Sequence, residues 1–200
     1  SAPMQVDPSV FKAYDIRGRL GIDLDEGIAR RIGRAFAEVL GARRVVIGRD
    51  CRASSVSLTA ATVEGLLAAG CEVIDLGLCG TEEMYFATSH FAADGGIEVT
   101  ASHNPMDYNG MKMVRRGSAP IGPESGLNAI RERAETEAFA AAQPGGTRRS
   151  APEARAAYVA AVLGFVDVNA LRPMTILVNA GNGAAGPTFD AIAEALAAKG

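Results

Sequence analysis

The sequence has 200 residues, 48% of them hydrophobic and 22% charged, the make-up of a globular protein with one good core and part of another. A net charge of −3 argues against nucleic acid, whose phosphate backbone calls for a basic face, so any anionic partner has to be met locally. No apolar run approaches the roughly 18 residues needed to cross a bilayer, the start Ser1-Ala2-Pro3-Met4 lacks a basic and then apolar leader, and the three cysteines have no CxxC spacing. The expectation is a cytoplasmic chain with reduced thiols and no membrane partner.

In chain order, Ile28, Ile32, Phe36, Val39 and Leu40 recur at helical spacing, and Gly41 stops the pattern, which predicts an amphipathic helix over residues 25–40. Val45-Val46-Ile47 reads as a buried strand, followed by a polar loop (49–55), a helix ending at Gly70 and a strand over 72–76. A loop (77–81), a helix (82–91), a strand (96–100), the loop around Ser102 and a strand over 111–115 follow, and a last helix is predicted over 124–140. Strands alternating with helices predict an α/β class, here a three-layer α/β/α domain, and the short return into residue 111 predicts a mixed sheet.

Residues 140–152 are rich in Ala, Gly and Pro without apolar periodicity, which marks a domain edge with a linker over 146–152. The first domain is thus assigned to 1–145. After the linker come a helix (153–165), a strand (175–178), a glycine loop (181–186) and a helix (187–198), read as the incomplete start of a second, similar domain over 153–200.

The chemistry concentrates on Ser102, directly after a strand and in a loop closed by Asn104-Pro105, where proline restrains the backbone. A serine is a weak nucleophile at neutral pH and needs a base, a metal or a cationic field. Its neighbour His103 suits a hydrogen-bond donor to phosphate better than a base, since adjacent side chains on an extended chain point opposite ways. Arg17 in Tyr14-Asp15-Ile16-Arg17-Gly18, Arg49 and Arg52 in the loop after the first strand, and Lys112 where the next strand returns could surround a phosphoryl group, whose transfer asks mainly for in-line positioning and positive charge. The blander reading of each is a solvated surface charge.

Gly181-Asn182-Gly183-Ala184-Ala185-Gly186 fits GxGxxG after a predicted strand, so a dinucleotide-binding oxidoreductase is the main alternative, although such a loop also serves as a plain strand-to-helix turn. A serine hydrolase lacks a GxSxG elbow. A non-catalytic binding module is the third reading.

The segments Phe11-Lys12-Ala13-Tyr14-Asp15-Ile16-Arg17-Gly18, Gly48-Arg49-Asp50, Gly80-Thr81-Glu82-Glu83-Met84, Thr100-Ala101-Ser102-His103-Asn104-Pro105 and Tyr108-Asn109-Gly110-Met111-Lys112, in this order, resemble the α-D-phosphohexomutases, in particular the bacterial phosphomannomutase/phosphoglucomutase branch. The resemblance implies interconversion of hexose 1-phosphate and hexose 6-phosphate through a phosphoserine at Ser102. It also implies Mg²⁺ touching that phosphate and a hexose 1,6-bisphosphate as intermediate and activator. Arg17 and Lys112 then match positions for proton transfer and charge stabilisation, Tyr14 lines the sugar-phosphate site, and His103 orients the phosphoserine. The family has four domains, so the remaining Mg²⁺ ligands are expected beyond residue 200, and this chain by itself is expected to be inactive or nearly so.

Overall fold

The structure, a computed structural model, describes residues 15–165 and 186–198. The first predicted helix, α1 (Glu26–Leu40), starts where Asp25 Oδ1 accepts the Ile28 N–H at 2.8 Å and ends on Gly41 at φ 58°, a left-handed cap that costs glycine nothing. Its apolar stripe is buried as the periodicity requires, with Phe36 and Ile32 sealed from water. By area, burying a side chain such as Phe36 contributes roughly 1.5–3 kcal/mol.

The elements that follow are β2 (Arg44–Arg49), α2 (Ala53–Ala68), β3 (Glu72–Leu78), α3 (Thr81–His90), β4 (Gly95–Val99) and β5 (Tyr108–Arg115). A short strand β1 (Asp15–Arg19) precedes α1, and β6 (Ala119–Pro120) folds back on β5. With a further strand β7 (Thr147–Ser150), the sheet order is β1-β5-β4-β2-β3-β7, with β2, β3, β4 and β7 mutually parallel where they pair, and β5 antiparallel to both β4 and β1. The sheet is therefore mixed, as the short return after β4 predicts.

One face packs Val45, Ile47, Ile97, Val99 and Met111 against α1, α2 and α4 (Asn128–Thr136). The other face packs Val46, Ile74 and Val114 against Met84 and Ala87 of α3 and Ala154 of α5 (Glu153–Gly164). Helices on both faces explain why the central strand β2 reads as a continuous apolar run rather than an alternating one. Among the described residues no helix is long and apolar enough to cross a membrane.

Two predicted spans change. The helix expected over 124–140 is α4 alone, preceded by a wide helical turn (Pro123–Leu127) in which Gly126 lies at φ 147°, and it ends where Glu137 turns left-handed at φ 53°. Within the linker, Thr147–Ser150 form β7, laid parallel along the outer edge of β3. All four of its residues are exposed, so no apolar pattern announces it. The last helix is α6 (Gly186–Ala198). The strand expected over 175–178 and most of the glycine loop lie outside the described residues.

Candidate active site at the ends of β2 and β4

Chain direction decides where this fold offers a ligand site. From β2 the chain crosses through α2 to β3 on one side, then through α3 back past β2 to β4 on the other. The crevice between the loops that follow β2 and β4 is thus the topological switch point, where open α/β sheets bind ligands. The loop after β2 carries Asp50 and Arg52, and the loop after β4 carries Ser102.

Beyond the last residue of β4, Thr100 still gives its N–H to Gly110 O at 3.0 Å, after which the chain leaves the ladder. Thr100 Oγ1 accepts the Ser102 N–H at 2.9 Å, and Asn104 donates to Ala101 O from both its backbone and its side chain, at 3.0 and 2.8 Å. Ser102 has φ 55°, a left-handed conformation uncommon for a residue with a Cβ and often found where function holds the backbone. Ser102 is half-buried and His103 beside it is exposed.

Beneath the loop lies a buried polar network. Asp50 accepts from the Arg52 N–H at 3.1 Å, from the Ala101 N–H at 3.4 Å and from the Ser55 hydroxyl. Asn109, fully buried, donates to Ser54 and Ser55 at 2.8 and 2.9 Å. The Arg52 guanidinium turns inward to the backbone of the serine loop, donating to Pro105 O at 2.7 Å and Tyr108 O at 3.1 Å. Its expected place among cations open to a phosphate is therefore corrected. Arg49 is half-buried and donates to Asp50 O at 3.2 Å.

Arg17 and Lys112 do come together. The β1–β5 register sets Asp15 opposite Lys112, and Asp15 Oδ2 receives Arg17 at 3.1 Å and Lys112 at 3.5 Å. The close approach requires Gly110, since a Cβ there would run into the Ile16 carbonyl. Both cations remain about one-third exposed at their side chains, so they are held but reachable by solvent. On the other side of Lys112 the ladder sets Glu98, whose carboxyl burial pushes well above the usual carboxylate range. Asp15 and Glu98 were not singled out from the sequence: Asp15 shows its role only through strand register, and Glu98 reads as one polar residue in a strand. Tyr14 lies outside the described residues.

Among the described residues no three His, Cys, Asp or Glu side chains gather to hold a metal ion.

Residues 8–141 match the family described as phosphoglucomutase/phosphomannomutase, alpha/beta/alpha domain I. The chain is 53% identical over 193 residues to a phosphomannomutase of Salmonella typhimurium, covering 95% of this chain and 42% of that protein. It is 51% identical over 185 residues to a phosphomannomutase of Escherichia coli, covering 91% and 40%. A solved phosphoglucomutase/phosphomannomutase family protein from Burkholderia thailandensis superposes with a TM-score of 0.85 at 39% identity, over 96% of this chain and 43% of that one. The chain spans about two-fifths of the length of the curated relatives it matches. These matches give no support to a nicotinamide enzyme.

Proposed function

Because the chain belongs to the phosphoglucomutase/phosphomannomutase family, we propose that it is the phosphoryl-carrying portion of a hexose-phosphate mutase acting on mannose or glucose phosphates. The observation that carries this is Ser102 itself, held at φ 55° at the switch point of the sheet, with Lys112 on the neighbouring strand β5 and Arg17 on β1 beyond it, the two cations sharing Asp15.

In this reading Ser102 carries a phosphate. The bond between phosphorus and Ser102 Oγ breaks as a bond forms from phosphorus to the free hydroxyl oxygen of a hexose monophosphate, giving the 1,6-bisphosphate. The hydroxyl proton leaves to a basic group, for which Lys112 with Arg17 beside it is the family-matched choice, and a proton is passed to the departing Ser102 Oγ, which leaves as a hydroxyl. After the bisphosphate turns over in the site, its other phosphate returns to Ser102 Oγ and the proton is given back. Arg17 and Lys112 balance the charge that spreads over the phosphoryl oxygens, Tyr14 lines the sugar-phosphate site, and His103 donates to the phosphoserine. Mg²⁺ on that phosphate would supply further charge neutralisation, with its protein ligands drawn from outside this set of residues. The chain alone holds the carrier and turns over hexose phosphate slowly or not at all. Its setting is the cytoplasm.

The test is the intact mass of the purified chain after incubation with glucose 1,6-bisphosphate. A phosphate adduct that maps to Ser102 and is lost in Ser102→Ala is the expected result. An adduct on another residue overturns the proposal.

A further inference from the structure

Arg52 has the charge of a phosphate ligand, but the fold uses it on the polypeptide. Its side chain is 2% exposed. It donates to the carbonyl oxygen of Pro105 at 2.7 Å, of Tyr108 at 3.1 Å and of Ser102 at 3.5 Å, and to that of Asn104. Its Nε lies 3.7 Å from Asp50 Oδ2, the oxygen that also accepts the Ala101 N–H. One buried ion pair therefore touches the loop on both sides of Ser102. Through Ser55 the same Asp50 is linked to Asn109, at the start of β5, so the loop is gripped where it leaves β4 and where it enters the next strand.

Burying a guanidinium to this extent is costly unless its donors are used. Four carbonyls drawn from residues 102–108 can be served together by a planar fork of five donors, and not by the compact ammonium of a lysine. We infer that Arg52 is a positioning residue for Ser102: by holding the carbonyls of the loop it keeps Ser102 at its left-handed backbone angle, and it assists phosphoryl transfer through the loop without touching the phosphate. The inference rests on the reading of Ser102 as the phosphoryl carrier.

The test uses the chain carrying Arg52→Lys or Arg52→Ala, held well below the melting temperature of each. Two quantities are read: amide hydrogen exchange at Ala101, Ser102, Asn104 and Tyr108, and the rate at which Ser102 takes phosphate from glucose 1,6-bisphosphate. Both variants should exchange about tenfold faster or more at those amides, as expected for losing hydrogen bonds to a charged group. Both should also phosphorylate about a hundredfold more slowly, the scale of a misplacement of about 1 Å. Added guanidinium should restore part of the rate in Arg52→Ala and none in Arg52→Lys.

A charge that merely attracts phosphate is supplied equally by lysine. Wild-type exchange in Arg52→Lys, or phosphorylation at the wild-type rate, overturns the inference, as does slow phosphorylation with unchanged exchange. If the wild-type chain takes no phosphate while loop exchange still rises in the variants, the carrier reading fails and the hold of Arg52 on the loop stands. Should Arg52→Ala not fold, Arg52→Lys decides on the same two readings.

Discussion

The thiol of Cys79 donates to Glu98 Oε2 across 3.3 Å, at a point where both side chains are sealed from water. Burial raises both groups well above their ordinary values, and Asp50 and Glu83 nearby push Glu98 further up while Arg49 draws it down. Glu83, also raised by burial, is opposed by Arg155, which approaches from α5 to 4.0 Å. These carboxyls bind protons more tightly in the folded chain than in the unfolded one. Their stabilising effect is complete below the unfolded carboxylate pKa and is lost as pH rises through the raised folded values. Thermal unfolding followed from about pH 5 to about pH 9 should show a falling midpoint, and Glu98→Gln, which keeps shape and neutrality, should flatten the fall. An unchanged slope in that variant would remove Glu98 from the account.

Asp94 behaves in the opposite sense. Partial burial raises its carboxyl, but the N–H groups of Arg43 and Arg44 at 2.9 and 3.0 Å and the Arg116 guanidinium outweigh this and hold it below the ordinary value. Its contribution is present above the unfolded carboxylate pKa and disappears as pH falls through the lowered one. Asp94→Ala should cost about 1–2 kcal/mol at neutral pH, less in acid, by denaturant unfolding at the two pH values.

Thiol chemistry should separate the cysteines cleanly. Cys51 is exposed, whereas Cys71 is buried with its pKa pushed up to about 11, chiefly by burial and then by Asp94. With Cys79 raised as well, a thiol reagent at neutral pH should label Cys51 alone in the native chain and all three cysteines after unfolding. Fast labelling of Cys71 or Cys79 without denaturant would contradict the packing described for them.

Gly110→Ala should detach β1. The added Cβ would meet the Ile16 carbonyl, which is backbone and cannot swing away. A loss of about 1–3 kcal/mol or more is expected by chemical denaturation. The disturbance also reaches the shared acceptor of Arg17 and Lys112, because Arg17 is the register partner of Gly110. Exchange of β1 amides at wild-type rates in this variant would mean that the strand tolerates the methyl group.

Much of this could be read from residue order, and what could not has particular causes. The stripe of α1 and the apolar run of β2 announce themselves because burial selects side chains strongly there. The strand β1 escapes because Asp-Ile-Arg-Gly-Arg holds a single large apolar residue, Ile16. β7 escapes because an exposed edge strand asks only for backbone partners. Ser102, Arg17 and Lys112 stand out through residue type and spacing, and the register accounts for the last two meeting at Asp15. The inward turn of Arg52 has no sequence signal, because the same loop position would also suit a residue reaching outward to an anion. Its orientation follows from four carbonyls that converge only after β4 and β5 pair.

The edge strand β7 also determines how α5 is mounted. Ala151, just past the strand, still gives its N–H to Asp75 O at 3.0 Å, and α5 begins at Glu153, so Pro152 alone separates sheet from helix. Arg155, in the first turn, reaches back to the Leu78 carbonyl at the end of β3. The helix is therefore bracketed to the sheet rather than tethered by the stretch of thirteen residues that composition alone marks as loose (140–152). A torque on α5 would be borne at once by the ends of β3 and α3, where Cys79 and Glu83 sit, instead of being absorbed by slack chain.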